Sequence, residues 1–173
     1  TARAVLALAT LGLDQDMLAH PETGETPLAY LQHTALDYTH EPVIVDADHL
    51  FPGNAGLVIA ALAAAGVAPA TAGDIDLVAQ LEQTITATGA YSTTARAGFT
   101  TGEALAPNQA WSILGLAMTG RAIPPEAIDY LKGLQSADGS WLESDPDTTG
   151  LAVVALMSTG QVSVSDPTVA RAL

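Results

Sequence analysis

The 173-residue chain is 49% hydrophobic, and its 19 acidic against 5 basic residues give a formal net charge of −14. The hydrophobic content is enough for one globular unit with a buried core, whereas the acidic balance excludes a nucleic-acid-binding footprint and disfavours anionic membrane surfaces. Cysteine is absent, which excludes disulfides, thiolate metal sites and thiol nucleophiles.

A short apolar phrase that ends in glycine occurs four times along the chain. Residues 6–12 read LALATLG, and similar phrases at 60–66, 114–120 and 154–160 place their closing glycines 54, 54 and 40 residues apart. Such a phrase marks a structural repeat, and each copy is expected to be an apolar helix whose glycine takes the left-handed C-cap conformation. We predict one domain over residues 1–173, excised from a longer protein, because the chain begins and ends inside repeats without an initiator methionine.

More amphipathic segments lie between the phrases. They open at residues 27–32, 74–82 and 125–134, and residues 165–173 read as the same element cut short. The phrase segments 56–65 and 110–118 have almost no polar face, and a helix that is apolar all round is covered on all sides. The sequence therefore predicts an all-α array of about three to four helical hairpins, with apolar helices inside and amphipathic helices outside.

Long linkers lead from each outer helix to the next inner helix. Residues 33–54, 89–108 and 136–147 hold most of the Gly, Pro, Thr and Asp. Long ordered loops and helix N-termini are common places for binding sites, so we expect any site at this rim. Asn54, Asn108 and Asp147 each precede an inner helix and are expected to be N-caps.

The linkers contain two groups of acidic side chains. Asp46, Asp48 and His49 could bind a divalent metal or exchange protons, although the same residue types form turns and caps. An acidic loop suits calcium in composition but lacks the helix–loop–helix calcium spacing; its members are Asp138, Glu143, Asp145 and Asp147. We expect no metal, no cofactor and no catalytic residue. The candidate ligand-binding residues are Asp46, Asp48, His49, Asn108, Asp145 and Asp147.

The third linker begins with Gln135, Gly139 and Trp141 in the pattern Q-x-x-x-G-x-W, directly after an outer helix. Gly139 follows an aspartate, and Asp-Gly is a strong turn pair. Trp141 can pack across two helices while its N–H reaches a carbonyl group. Gln135 can bond to backbone groups of the loop or of a helix end, so we interpret the motif as a structural staple.

A weaker copy runs from Gln83 through Gly89 to Tyr91, with two extra residues. The motif resembles the repeat of the squalene cyclase and protein prenyltransferase superfamily, in which it joins an outer to an inner helix of a double-layered α/α barrel. Residues 147–152 are also similar to the start of an inner helix in that family. The resemblance implies a partial α/α toroid, about half of a barrel. Its uncovered ends favour self-association, which we expect to give a symmetric homodimer.

The catalytic groups of the resembled enzymes do not carry over. Residues 46–49 read DADH and lack the final aspartate of the cyclase D-x-D-D motif, and the prenyltransferase zinc site needs a cysteine. We interpret the chain as a non-catalytic binding or scaffolding module of a larger, exported bacterial protein, with a small molecule, glycan or protein segment as its partner. The alternative is a fragment of a terpenoid cyclase-like enzyme with Asp46 or Asp48 as the general acid. A purely structural spacer would have no cavity.

Overall fold

The computed structural model describes residues 1–40, 49–68, 75–93 and 105–173. Within these ranges the chain is all-α, as predicted, with eight α-helices, one 3-10 helix and no strand beyond three isolated bridges. The helices are α1 (Ala2–Thr10), the 3-10 helix (Gln15–Leu18), α2 (Pro27–Thr39), α3 (Pro52–Ala64), α4 (Leu77–Gln83), α5 (Ala106–Met118), α6 (Pro125–Gly133), α7 (Pro146–Ser158) and α8 (Pro167–Ala172).

Proline and capping side chains decide where most helices begin. Six of the helices carry proline at their first or second position. Backbone N–H groups in the first turn make no intrahelical hydrogen bond, so the absence of this group in proline costs nothing there, and the fixed φ of proline is already helical. The side chains of Thr26, Asp76, Asp145 and Asp166 each accept a hydrogen bond from a backbone N–H of the first turn.

The three predicted N-caps are wrong. The inner helices begin at Pro52, Ala106 and Pro146, so Asn54, Asn108 and Asp147 lie within the first turn instead of before it. Each helix begins earlier because proline is tolerated in that turn. The residue that caps α7 is Asp145, whose carboxylate accepts a hydrogen bond of 2.9 Å from the Thr148 N–H.

Helix α2 is longer than predicted. It continues to Thr39, so residues 33–39, which were assigned to the first linker, are helical. Leu31, Ala35 and Thr39 recur every four residues and are all buried, and this spacing keeps one face of the helix against its neighbours.

The closing glycines take the predicted conformation. Their φ angles are between 66° and 76°, in the left-handed region that favours glycine. At the end of α3 the Val67 N–H donates to the Leu62 carbonyl, and the Gly66 N–H donates to the Ala63 carbonyl, which satisfies carbonyl groups that the helix end leaves unpaired. The four glycines are Gly12, Gly66, Gly120 and Gly160.

The phrase helices pack in series, α1 against α3, α3 against α5, and α5 against α7. Helix α2 packs against α1 and α3, α4 against α3, α6 against α5 and α7, and α8 against α7. Helices α3 and α5 approach each other closely, because a Cβ on Gly56 would overlap the Trp111 carbonyl group, and a Cβ on Gly115 would overlap the Gly56 backbone. Nine residues of α3 and eight of α5 are buried, which confirms the prediction that these apolar segments lie inside.

Candidate functional site

The third linker begins with a tight turn that is fastened to the last helix. The Gln135 Nε2 donates to the carbonyl oxygens of Gly139 and Thr168, both at 2.8 Å. Gly139 has a φ of 89° and lies so close to α8 that a Cβ would overlap the Arg171 carbonyl group. A side chain at this position would therefore strain the backbone and also push α8 away.

Trp141 fastens the other end of the same turn. Its ring is fully buried, and its Nε1 donates to the Leu131 carbonyl of α6 at 2.8 Å. Its backbone N–H donates to the Thr149 Oγ1 of α7 at 3.0 Å. Gln135, Gly139 and Trp141 thus hold α6, α7 and α8 together through one short loop.

The second linker makes the same turn with a different glutamine position. Gly89 has a φ of 86°, and Tyr91 is buried like Trp141. Helix α4 ends at Gln83 with Thr84 as its C-cap, while α6 ends at Gly133 with Leu134 as its C-cap. Counted from these caps, Ile85 occupies the position of Gln135. The predicted equivalence of Gln83 with Gln135 is therefore wrong, and Gln83 is an exposed helix-end residue.

Gln109 of α5 bonds to the carbonyl of the turn glycine, as Gln135 does in the third linker, and also accepts from the N–H of the aromatic residue, as Thr149 does there. It is fully buried; its Oε1 accepts from the Tyr91 N–H at 2.9 Å, and its Nε2 donates to the carbonyl oxygens of Gly89 at 2.9 Å and Ala127 at 3.1 Å. Gln109 was not among the residues predicted from the sequence. A usable signal was its position eleven residues before Gly120, which is the position of Thr149 before Gly160.

The acidic loop is organised around its own hydroxyl and amide groups. Asp138 accepts hydrogen bonds from the Ser140 Oγ at 2.7 Å, the Ser140 N–H at 3.0 Å and the Ser144 Oγ at 2.8 Å. These bonds, those from Ser140 above all, lower the pKa of Asp138 to about 2. The carboxylate is therefore already occupied as an acceptor within the loop.

The backbone between this turn and α7 has three consecutive left-handed residues. Leu142, Glu143 and Ser144 have φ angles of 52°, 53° and 67°, which is costly for residues that carry a Cβ. Asp145 follows them, and hydrogen bonds from Thr148 lower the pKa of its carboxyl group. Asp147 lies exposed in the first turn of α7.

The remaining predicted ligand-binding residues lie apart from this loop. Asp46 and Asp48 lie outside the described residues, and His49 is half-buried beside the buried Leu50. Asn108 is exposed on α5, where its Oδ1 fills the space that a Cβ on Gly53 would need. Within the described ranges no three His, Asp or Glu side chains gather as a metal site would require.

A cavity of about 540 Å³ lies between the N-terminal end of α1, the side of α2 and the wall of α3. Its lining consists of Thr1, Ala2, Arg3, Tyr30, Leu31, Thr34, Asp37, Tyr38 and Leu57.

The polar wall of this cavity comes from one face of α2. Tyr30, Thr34, Asp37 and Tyr38 follow helical spacing. This face was not predicted, because residues 33–39 were expected to lie in a linker. A second cavity of about 400 Å³ also borders Tyr30 and extends towards the start of α2.

These features define the class of this protein: an all-α protein of packed helical hairpins whose second and third linkers are fastened by glutamine and buried aromatic side chains. No protein-family model matches the chain, and no curated protein and no solved structure is detectably similar to it. None of the helices in the described part of the chain is long and apolar enough to cross a membrane.

Proposed function

We propose that this protein is a non-catalytic binding module built from helical repeats like those of the squalene cyclase and prenyltransferase superfamily. It forms part of a larger, exported bacterial protein, and its ligand is a small hydroxylated ring compound such as a sugar unit of a glycan. The observation that carries this proposal is the cavity of about 540 Å³ between α1, α2 and α3.

The lining of the cavity fits such a ligand. Tyr30 and Tyr38 are 46% and 44% exposed, so their ring faces can stack on the apolar face of a sugar. Arg3 presents only hydrogen-bond donors and Asp37 only acceptors, which suits hydroxyl groups that both donate and accept. Buried Leu31 adds an apolar side chain to the lining, and the volume is within the range of small-molecule sites.

The membership in the repeat superfamily is supported by two local features. The inner helices pack in series with the outer helices beside them, and Gln135, Gly139 and Trp141 connect an outer helix to an inner one through a stapled turn. Export is supported by an acidic surface with a single lysine, Lys132. The enzyme alternative depends on Asp46 and Asp48, and no observation on the described residues favours it.

The test is an NMR titration of the 173-residue chain with glucose, N-acetylglucosamine and the disaccharides maltose and cellobiose. We expect saturable shifts centred on Tyr30, Thr34 and Tyr38. Tyr38→Ala and Asp37→Asn are each expected to weaken binding at least about tenfold, because the first removes a stacking face and the second replaces a charged acceptor oxygen with an amide donor.

Gln32→Ala is the matched control, because Gln32 is exposed on α2 outside the cavity. It should leave the binding constant unchanged. Absence of saturable shifts with all four sugars, or equal weakening by Gln32→Ala, would contradict a saccharide site in this cavity.

A further inference from the structure

The four inner helices can be aligned on their closing glycines. Ten residues before the glycine stand Ala2, Gly56, Ala110 and Gly150, and six residues before it stand Leu6, Ala60, Leu114 and Val154. In α3 this side contacts α5, since a Cβ on Gly56 would overlap the Trp111 carbonyl group. We call the side that carries these positions the leading face of each inner helix.

The leading face is covered on α3 and α5 but not on α7. Gly56 and Ala60 are buried on α3, and Ala110 and Leu114 are buried on α5. On α7 a Cβ on Gly150 would meet nothing within 4 Å, and the exposed fractions of Val154 and Met157 are 53% and 43%. Helix α7 thus presents an unoccupied copy of the surface that α3 and α5 use to contact the next helix.

The opposite side of each inner helix, which we call the trailing face, receives the preceding helix. On α5 it contains Ser112 and Gly115, eight and five residues before the closing glycine, and both are buried against α3. The equivalent residues on α7 are also buried, Ala152 and Ala155.

On α1 the trailing face is uncovered. Ala4 is half-buried and Ala7 is exposed at the positions of Ser112 and Gly115, and Leu11 on the same side is 71% exposed. The uncovered surface at each end of the row is therefore one half of the contact that already joins α1 to α3, α3 to α5, and α5 to α7.

We propose that the leading face of α7 docks on the trailing face of α1 from a second copy of this chain. The two faces are complementary halves of one repeated contact, so the assembly continues an interface that the fold already contains. Both faces are apolar and exposed, which favours association, and the contact joins different surfaces of the two copies.

Charge complementarity supports this occupant. In α3 Gly53 lies beside Asn108, near the start of α5. Exposed Asp147 is the residue of α7 equivalent to Gly53, so docking would bring its carboxylate to the N-terminal end of α1. That helix end carries partial positive charge and exposed Arg3, one of only 5 basic residues in the chain.

The experiment is sedimentation velocity on the 173-residue chain from micromolar to millimolar concentration. We expect concentration-dependent association. Gly150→Gln and Ala7→Gln should each raise the dissociation constant at least about tenfold, because a long side chain would then stand in the contact. Ala2 and Ala110 show that this position tolerates one methyl group, which is why a longer side chain is used.

Matched controls are Gly133→Gln and Ala29→Gln. Gly133 has open space around it, as Gly150 has, and Ala29 is an exposed helical alanine like Ala7. Both controls should associate like the parent chain. None of these four residues lines the cavity of the proposed ligand site, so sugar binding should be unaffected by all of them.

Mixing the two blocked variants identifies the contact. The Gly150→Gln chain keeps an intact α1 face and the Ala7→Gln chain keeps an intact α7 face, so the mixture should form mixed pairs although each variant alone stays monomeric. A monomeric parent chain at all concentrations would overturn the proposal. Association that is lost in Gly150→Gln but kept in Ala7→Gln would overturn it in favour of pairing between two α7 helices.

Discussion

Replacing Gln109 with methionine tests whether the buried glutamine fastens the second linker. Methionine has a similar length and a similar helix propensity, so the helix itself is little changed. The substitution removes three hydrogen bonds, from the Tyr91 N–H and to the carbonyl oxygens of Gly89 and Ala127. All three partner groups would remain in the protein interior without their present partner.

The expected loss can be worked out from these contacts. Each bond contributes about 1 kcal/mol net, and a buried group left unpaired costs about 1–3 kcal/mol. We therefore expect Gln109→Met to lower the free energy of unfolding by about 3–5 kcal/mol, a large share of the about 5–15 kcal/mol typical of a domain.

Urea unfolding followed by circular dichroism measures this loss, and hydrogen exchange at the Tyr91 amide reports the local bond. Gln135→Met is the control, because Gln135 is only half-buried and solvent can replace its bonds; we expect a loss of about 1–2 kcal/mol. A decrease in the free energy of unfolding of less than about 1 kcal/mol in Gln109→Met, or equal decreases in the two variants, would refute the role of Gln109 in fastening the second linker.

Three further measurements test other parts of the structure. Gly56→Ala should lower the free energy of unfolding by about 3 kcal/mol, because its Cβ would overlap the Trp111 carbonyl. Gly150→Ala should raise the free energy of unfolding by about 1 kcal/mol, because its Cβ meets open space. Unfolding temperatures that change in the same direction in both variants would contradict this. Because the fold lowers the pKa of Asp138 to about 2, the free energy of unfolding should fall as pH drops from about 4 towards that value. If the free energy of unfolding of Asp138→Asn falls just as steeply over this pH range, Asp138 is excluded as the cause. Burial, and to a smaller extent the charge of Glu82, raises the pKa of Tyr91 to about 12, so the free energy of unfolding should fall as pH rises from about 10 towards 12. This fall should be smaller in Tyr91→Phe, and an equal fall in the variant and the parent chain would count against the explanation.

Local sequence was enough to predict the helical elements and the glycine that closes each inner helix. The apolar phrase, the glycine that follows it and the Asp138-Gly139 turn each involve groups only a few residues apart. The left-handed φ of the closing glycines and of Gly139 was therefore foreseeable from chain order alone. The N-cap errors at Asn54, Asn108 and Asp147 show the limit, because proline inside the first turn competes with a polar residue as the start signal.

The candidate sites depended on which helices lie side by side. Gln109 reaches partners 18 and 20 residues away. Its distance from Gly120 gives its place in the repeat, but the groups that it bonds to depend on which elements pack beside α5. The cavity beside Tyr30 and Tyr38 exists only because α1, α2 and α3 meet there.

The sequence by itself determined that the chain forms repeated apolar helices closed by glycine, because helix formation and termination are governed by neighbours within one or two turns. The tertiary structure alone decided that Gly56 is buried and Gly150 exposed, although both stand ten residues before a closing glycine. They differ because α5 packs against α3 at Gly56, whereas the space beside Gly150 of α7 is open. The sequence of a single repeat does not determine such long-range packing.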